Sequence, residues 1–113
     1  MYLVQILLPL YDNEGHAFDA DDYVELRSEL ADRFGGVTAY MRAPARGLWK
    51  GDTGETTRDD IVIYEVMCED LDREWWTGFR KDLERRFRQQ NLIVRALTSA
   101  LLLSTVRDRR HRP

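Results

Sequence analysis

The chain has 113 residues, of which 43% are hydrophobic and 33% charged, and its formal net charge is −3. This length allows one small domain with a single core, and 11% aromatic residues argue against disorder. The apolar run over residues 96–106 is shorter than the ~20 residues of a membrane-spanning helix, and the first ten residues lack the features of a signal peptide, so we expect a cytoplasmic protein.

The first predicted element is a strand over Tyr2–Leu10, which is apolar on both faces except at Gln5. This pattern is typical of a central strand. A helix follows, in which we expect the Asp19 carboxylate to cap the first turn and Gly35–Gly36 to end the last. One stripe at helical spacing is predicted to face the core, and it consists of Tyr23, Leu26, Leu30 and Phe34.

Two strands are predicted next, over Val37–Arg42 and Ile61–Cys68. The stretch between them, residues 43–60, is long for a loop in so small a domain. We interpret it as a hairpin arm whose tip lies at residues 51–54. The second of the two strands is apolar on both faces, with Glu65 as its one charged residue.

A second helix is expected to begin at Asp70 or Asp72 and to end before a last strand that begins at Leu92. Two continuations of that strand remain open, since it could run on to Val106 with a bulge or be followed by a short helix over Ser99–Ser104. We expect one domain over residues 1–106 and a frayed basic tail over residues 107–113. The core-facing residues of the second helix are Trp76, Phe79, Leu83 and Phe87.

The predicted order is β-α-β-β-α-β, which indicates an α+β protein with the ferredoxin-like fold. Right-handed crossovers then place both helices on one face of a four-stranded antiparallel sheet. The strands are apolar on their other face as well, and an exposed apolar face is typical of an interface. We therefore expect a homodimer that packs sheet against sheet, with the hairpin arm reaching toward the partner.

Three short segments carry a resemblance to known proteins, namely Arg33–Thr38, Gly47–Trp49 and Arg86–Arg95. They resemble a group of small uncharacterised bacterial proteins in which a helix ends in an Arg-Phe-x-Gly-Leu-Thr-like turn, a Gly-x-Trp follows, and an Arg-Phe-x-Gln segment enters the last strand. More broadly, the chain is similar to the dimeric α+β-barrel superfamily, which includes small monooxygenases and chlorite-dismutase-like haem proteins. The resemblance implies the fold and a dimer, and it supplies no catalytic residue.

His16 lies near Asp12 and Glu14, and such a group could transfer protons or bind a metal. A metal site usually needs three or four convergent ligands, so we prefer an ordinary polar loop and predict no metal. Asp12 follows the first strand at a place similar to that of the metal-binding Asp of ferredoxin-like CRISPR-associated dimeric nucleases. The acidic first helix argues against this alternative.

Three further residues have two interpretations each. Trp49 on the predicted arm is either an anchor for the dimer partner, which we prefer, or part of a pocket lining. Glu65 is either paired with Arg42 on the neighbouring strand, which we prefer, or a base in a pocket. The lone Cys68 excludes an internal disulfide, and its acidic neighbours favour packing over a reactive thiolate.

The charges are unevenly distributed, since residues 1–74 carry 7 basic and 17 acidic side chains whereas residues 75–113 carry 10 and 3. A nucleic-acid surface on the second helix and the tail is one interpretation. The third strand offers only Tyr64 where an RNA-binding sheet carries several aromatic residues, so we do not expect nucleic acid. We prefer charge complementarity between the helices or between subunits. The basic residues of that helix are Arg80, Lys81, Arg85 and Arg88.

The sequence contains no Gly-rich phosphate loop, nucleophile elbow or Cys-x-x-Cys pair. The leading hypothesis is therefore a homodimeric binding or interaction module, for which a small-molecule ligand is compatible and neither a cofactor nor a membrane is expected. The alternative hypothesis is an enzyme of the monooxygenase type, with an apolar pocket between the helices and the sheet. The predicted lining of that pocket is Tyr40, Tyr64, Trp49, Glu65 and His16.

Overall fold

The computed structural model describes residues 1–42 and 61–102. The predicted order of elements is confirmed. The interpreted hairpin arm with Trp49, the tail and the residues from 103 onward lie outside the described residues. The elements are β1 (Tyr2–Pro9), α1 (Ala20–Phe34), β2 (Thr38–Arg42), β3 (Ile61–Cys68), α2 (Arg73–Arg86) and β4 (Ile93–Thr98).

The four strands form one antiparallel sheet in the order β2-β3-β1-β4. β1 is a central strand, as its two apolar faces predicted. In its register Gln5 lies opposite Glu65 on one side and opposite Arg95 on the other. This strand order is that of a ferredoxin-like fold, so the predicted fold class is confirmed.

Both helices pack on one face of the sheet and form the core with it. Alternate residues of β1 are buried, with Val4, Ile6 and Leu8 at most 1% exposed. Each helix presents an apolar stripe to these residues. The stripe repeats every three or four residues because a helix has 3.6 residues per turn, whereas the buried residues of a strand alternate. The fully buried helix residues are Leu26, Leu30 and Leu83, with Phe87 at the end of α2.

The helix ends agree with the sequence patterns in all but one respect. Asp72 caps α2, because its Oδ1 accepts a hydrogen bond from the backbone N–H of Trp75 at 3.1 Å. Asp19 is the N-cap of α1 by position, but its side chain makes no capping hydrogen bond, so that detail of the prediction is wrong. Its exposed carboxylate acts there only as a charge at the positive end of the helix dipole.

The acidic and basic halves of the chain meet between the two helices. The guanidinium of Arg86 on α2 donates to both carboxylate oxygens of Glu29 on α1, at 2.7 and 2.9 Å. The hydrogen bond to Glu29 raises the pKa of Arg86, which keeps it charged. A second link across the halves is weaker, since Arg88 Nη2 lies 3.7 Å from Asp12 Oδ2. Complementarity between the helices therefore accounts for part of the charge asymmetry.

After β4 the chain has no regular secondary structure over Ser99–Leu102. The last strand does not continue into these residues and no helix begins in them, so neither of the two predicted continuations is seen here. Among the helices in residues 1–42 and 61–102, none has the length and apolar character needed to cross a membrane.

Candidate binding site on the open sheet face

The sheet face that points away from both helices, called here the open sheet face, is built from the alternate residues that do not enter the core. It remains largely uncovered by the described residues, since Ile93 is 54% exposed and Met67 and Leu97 are each 45% exposed. Ile63 is the exception, at 2% exposed. Two rows of apolar residues on this face cross three strands, Leu3, Met67 and Leu97 in one and Leu7, Ile63 and Ile93 in the other.

A row of four polar side chains, called here the polar row, crosses the face between the two apolar rows. Tyr40 on β2 donates its hydroxyl to Glu65 Oε2 on β3 at 2.8 Å. Gln5 Nε2 on β1 donates to the same Oε2 at 2.7 Å. Arg95 Nε on β4 donates to Gln5 Oε1 at 2.7 Å, so the hydrogen bonds span the whole sheet.

The polar row has a negative side and a positive side. Glu65 is half-buried and accepts both of its side-chain hydrogen bonds through Oε2, so Oε1 has no hydrogen-bond partner within residues 1–42 and 61–102. Arg95 is exposed and donates to Gln5 through Nε. Its two terminal nitrogens donate no hydrogen bond to any side chain that the structure describes. A carboxylate oxygen and two guanidinium nitrogens therefore have no hydrogen-bond partner among the side chains that the structure describes.

The preferred pairing of Glu65 with Arg42 does not match the register. Arg42 lies opposite Ile61, while Thr38 lies opposite Glu65. A shift of four residues along a strand separates two Cα positions by about 13 Å. The hydrogen-bond partners of Glu65 are instead Tyr40 and Gln5.

Of the five residues predicted to line a pocket between the helices and the sheet, the four that the structure describes are not all brought together. Tyr40 and Glu65 meet, but on the open sheet face. Tyr64 lies on the opposite face, 3% exposed, and donates its hydroxyl to the backbone oxygen of Tyr23 at 3.2 Å. Burial raises the pKa of Tyr64 and raises that of Tyr23 to about 12, so both act as neutral core residues. Trp49 lies outside the described residues.

His16 belongs to a separate loop that Asp12 holds together. Asp12 Oδ1 accepts hydrogen bonds from the backbone N–H groups of Glu14 and His16, at 2.9 and 2.8 Å. The hydrogen bond from His16 and then that from Glu14 lower the pKa of Asp12, against an opposing effect of burial. The His16 side chain is 73% exposed. The geometry gives Asp12 a structural role in the loop.

The same loop brings together three side chains that could bind a metal ion. The ligand atoms of Asp12, Glu14 and His16 all lie within 4.8 Å of one another. Arg88 Nη2 already lies 3.7 Å from Asp12 Oδ2, and a cation bound there would have to oppose this charge. Nothing else in the described residues points to a metal at this loop.

One pocket of about 180 Å³ opens between the start of α2 and the sheet. Leu71, Arg73, Trp76 and Val94 are among its lining residues, and neither Glu65 nor His16 is. Sites for small-molecule ligands usually measure about 300–1,000 Å³, so this pocket is too small to enclose one.

Two other candidate features are accounted for by local contacts. On the basic side of α2, Arg80 is paired with Glu84 at 2.8 Å and Arg85 with Asp82 at 2.9 Å, so these charges are partly neutralised. The Cys68 thiol is half-buried, and burial and then the charge of Asp70 raise its pKa, which makes it a poor nucleophile.

The sequence interpretation missed Gln5 and Arg95 as members of a site. The signal was present, because Gln5, Glu65 and Arg95 are each the polar residue inside an apolar strand. Only the register shows that they align, since antiparallel strands can slide by two residues without changing the face of any side chain.

Solved structures with the same fold include a phage SAM lyase. The complex of that enzyme with S-methyl-5'-thioadenosine has a TM-score of 0.56 and 18% sequence identity, covering 85% of this chain and 79% of that chain. A phage SAM lyase in the apo state has a TM-score of 0.50 and 18% identity, covering 90% and 92%. No family model and no curated protein matches the chain. The likeness shows that this chain shares a small α+β fold with the lyase.

Proposed function

We propose that this protein is a small-molecule-binding module that binds an adenosyl thioether or sulfonium compound on the open sheet face, against Tyr40 and Glu65. The observation that carries the proposal is the state of Glu65. Its carboxylate is fixed by two hydrogen bonds through Oε2, while Oε1 has no hydrogen-bond partner among the described residues, on a face that those residues leave largely exposed. A preoriented acceptor of this kind binds a ligand without first having to be ordered.

The chemistry of the two residues suits a nucleoside. Carboxylates accept hydrogen bonds from ribose hydroxyls in many nucleotide sites, and Glu65 Oε1 offers such an acceptor. The ring of Tyr40, a residue that is 41% exposed, offers an aromatic surface on which a base can stack. Base and sugar of one ligand would then contact neighbouring strands of the sheet.

The flanking apolar rows suit the rest of such a ligand. Leu7 on β1 is partly exposed two strands away from Tyr40, with the buried Ile63 between them in the register. A methylthio group is apolar and polarisable and packs well on aliphatic side chains. The choice of an adenosyl thioether is also supported by the shared fold, because the phage SAM lyase was solved with S-methyl-5'-thioadenosine.

Isothermal titration calorimetry with S-methyl-5'-thioadenosine tests the proposal. We expect saturable binding to the wild-type protein and a loss of about tenfold or more in affinity for Glu65→Gln, since a hydrogen bond to a charged group contributes about 1.5–3 kcal/mol. Glu69→Gln is the matched control, because Glu69 is exposed just beyond β3 and makes no contact with the polar row. No binding at about 1 mM ligand, or equal affinities for all three proteins, would overturn the proposal.

Catalysis on a compound of this class is the second candidate function, favoured because the protein that shares the fold is a lyase by name. Incubation with SAM, followed by chromatography, tests it. Conversion of SAM by the wild-type protein, lost in Glu65→Gln and kept in Glu69→Gln, would make the protein an enzyme. If SAM stays unchanged while the protein still binds the ligand, the catalytic function is excluded and the binding function stands.

A further inference from the structure

We infer that a second copy of this chain covers the open sheet face, related to the first by a two-fold axis that runs parallel to the strands over β1. The partner inferred for the open sheet face is thus a second copy of this chain. This rests on the proposed function only in that both take the open sheet face as a binding surface. Three observations carry it: the two apolar rows, the polarity of the row between them and the order of the strands.

The order of the strands places the charges symmetrically about β1. β3 with Glu65 lies on one side of β1 and β4 with Arg95 lies on the other. A two-fold axis parallel to the strands exchanges the two sides while it keeps positions along the strands. It therefore places Glu65 of each copy opposite Arg95 of the other, at the ~10 Å separation of packed sheets that long side chains bridge.

The same axis matches the apolar rows. Met67 and Leu97 lie at one level of the register and Ile63 and Ile93 at another. The axis places Met67 opposite Leu97 of the second copy, and Ile63 opposite Ile93. The three apolar residues exposed by 45–54% on this face would all be covered, which stabilises association by burying apolar surface.

The charges also exclude the competing arrangement. A two-fold axis that runs along the polar row, perpendicular to the strands, places Glu65 opposite Glu65 and Arg95 opposite Arg95. Like charges opposed across a desolvated interface cost free energy on both sides. The polarity of the row thus selects one of the two ways in which a face of this shape can pack on itself.

The strand order leaves β2 outside the covered area. Three strands of each copy overlap, β3 on β4, β1 on β1 and β4 on β3, and β2 extends beyond the partner's edge strand. Tyr40 then borders a groove whose floor is β2 and whose wall is the edge of β4 from the second copy. Because Arg95 of the second copy then pairs with Glu65 and the second copy covers Leu7, the dimer and the proposed ligand would compete for this part of the open sheet face.

Charge exchange between copies tests the inference in the absence of any ligand, so its outcome is independent of whether a nucleoside binds. We expect the wild-type protein to sediment as a dimer at about 100 μM, and Glu65→Arg and Arg95→Glu each to raise the dimer dissociation constant at least ~10-fold. An equimolar mixture of the two variants should recover the dimer, because both cross-subunit pairs of a mixed dimer again have opposite signs. Lys81→Glu, on the exposed side of α2, is the control for a change of charge alone.

Circular dichroism spectra confirm that each variant is folded before its mass is interpreted. A wild-type monomer or trimer would overturn the inference. So would folded variants that dimerise as the wild-type protein does, or a mixture that stays monomeric although both variants are folded.

Discussion

At the scale of single residues, Asp12 shows how a charged side chain organises a loop without belonging to a site. Its carboxylate accepts two backbone hydrogen bonds, from Glu14 and His16, and these lower its pKa below the ordinary value of 3.8. The folded state therefore gains stability from the ionised carboxylate above about pH 4, and loses it as the pH falls through the lowered pKa.

Asp12→Asn separates the charge from the hydrogen bonds, since the amide oxygen can still accept from both N–H groups. We expect the variant to melt at a lower temperature than the wild-type protein near pH 7, with the difference shrinking toward about pH 3. Thermal melts at several pH values measure this. Glu25→Gln is the control, because Glu25 is exposed in the middle of α1, away from both ends of the helix dipole. A difference for Asp12→Asn that stays constant with pH would contradict the account.

At the scale of elements, the end of α1 depends on one glycine of an adjacent pair. Gly35 adopts φ of +83° and its N–H donates to the oxygen of Ala31, whereas Gly36 has no positive φ. A Cβ would meet no atom within 4 Å at either position, so only the backbone conformation separates them. We expect Gly35→Ala to lower the free energy of unfolding by about 1 kcal/mol and Gly36→Ala by less than about 0.5 kcal/mol. Urea denaturation measures both, and equal losses would count against the assignment.

The contact between the two helices depends on Arg86 more than on its neighbour Arg85. Arg86 is 29% exposed and binds Glu29 through two hydrogen bonds, while Arg85 is 72% exposed and pairs only within α2. After allowance for solvent screening, we expect Arg86→Met to cost about 1 kcal/mol and Arg85→Met to cost close to nothing. Urea denaturation at low and at high salt measures the difference, which salt should reduce. Similar costs for both variants would refute this account.

At the scale of the whole molecule, most of the fold could be predicted from sequence, and so could Tyr40 and Glu65 as candidate site residues, whereas their alignment with Gln5 and Arg95 could not. The spacing of apolar residues in β1 and α1 and the Gly35–Gly36 break predicted these elements. Such spacing is visible in the sequence because each buried face of a strand or helix needs an apolar residue at every second residue or at every turn. The polar row depends on register, which local patterns leave open by two residues. Glu65 was accordingly paired with Arg42 instead of Tyr40 and Gln5.

The central claim is that the open sheet face is the binding surface of the molecule, and the three methionines allow a direct measurement. Met67 lies on the open sheet face, 45% exposed, whereas Met41 lies opposite Val62 on the helix side of the edge strand, 62% exposed. Their similar exposure makes Met41 the internal control.

Methyl NMR spectra of protein labelled at the methionine methyl groups, recorded over a series of dilutions, report on both residues at once. We predict that the Met67 signal shifts as the protein is diluted through the dissociation constant of the dimer, while the Met41 signal stays in place. A Met67 signal that stays constant while the sedimenting mass halves, or a shift confined to Met41, would contradict the account.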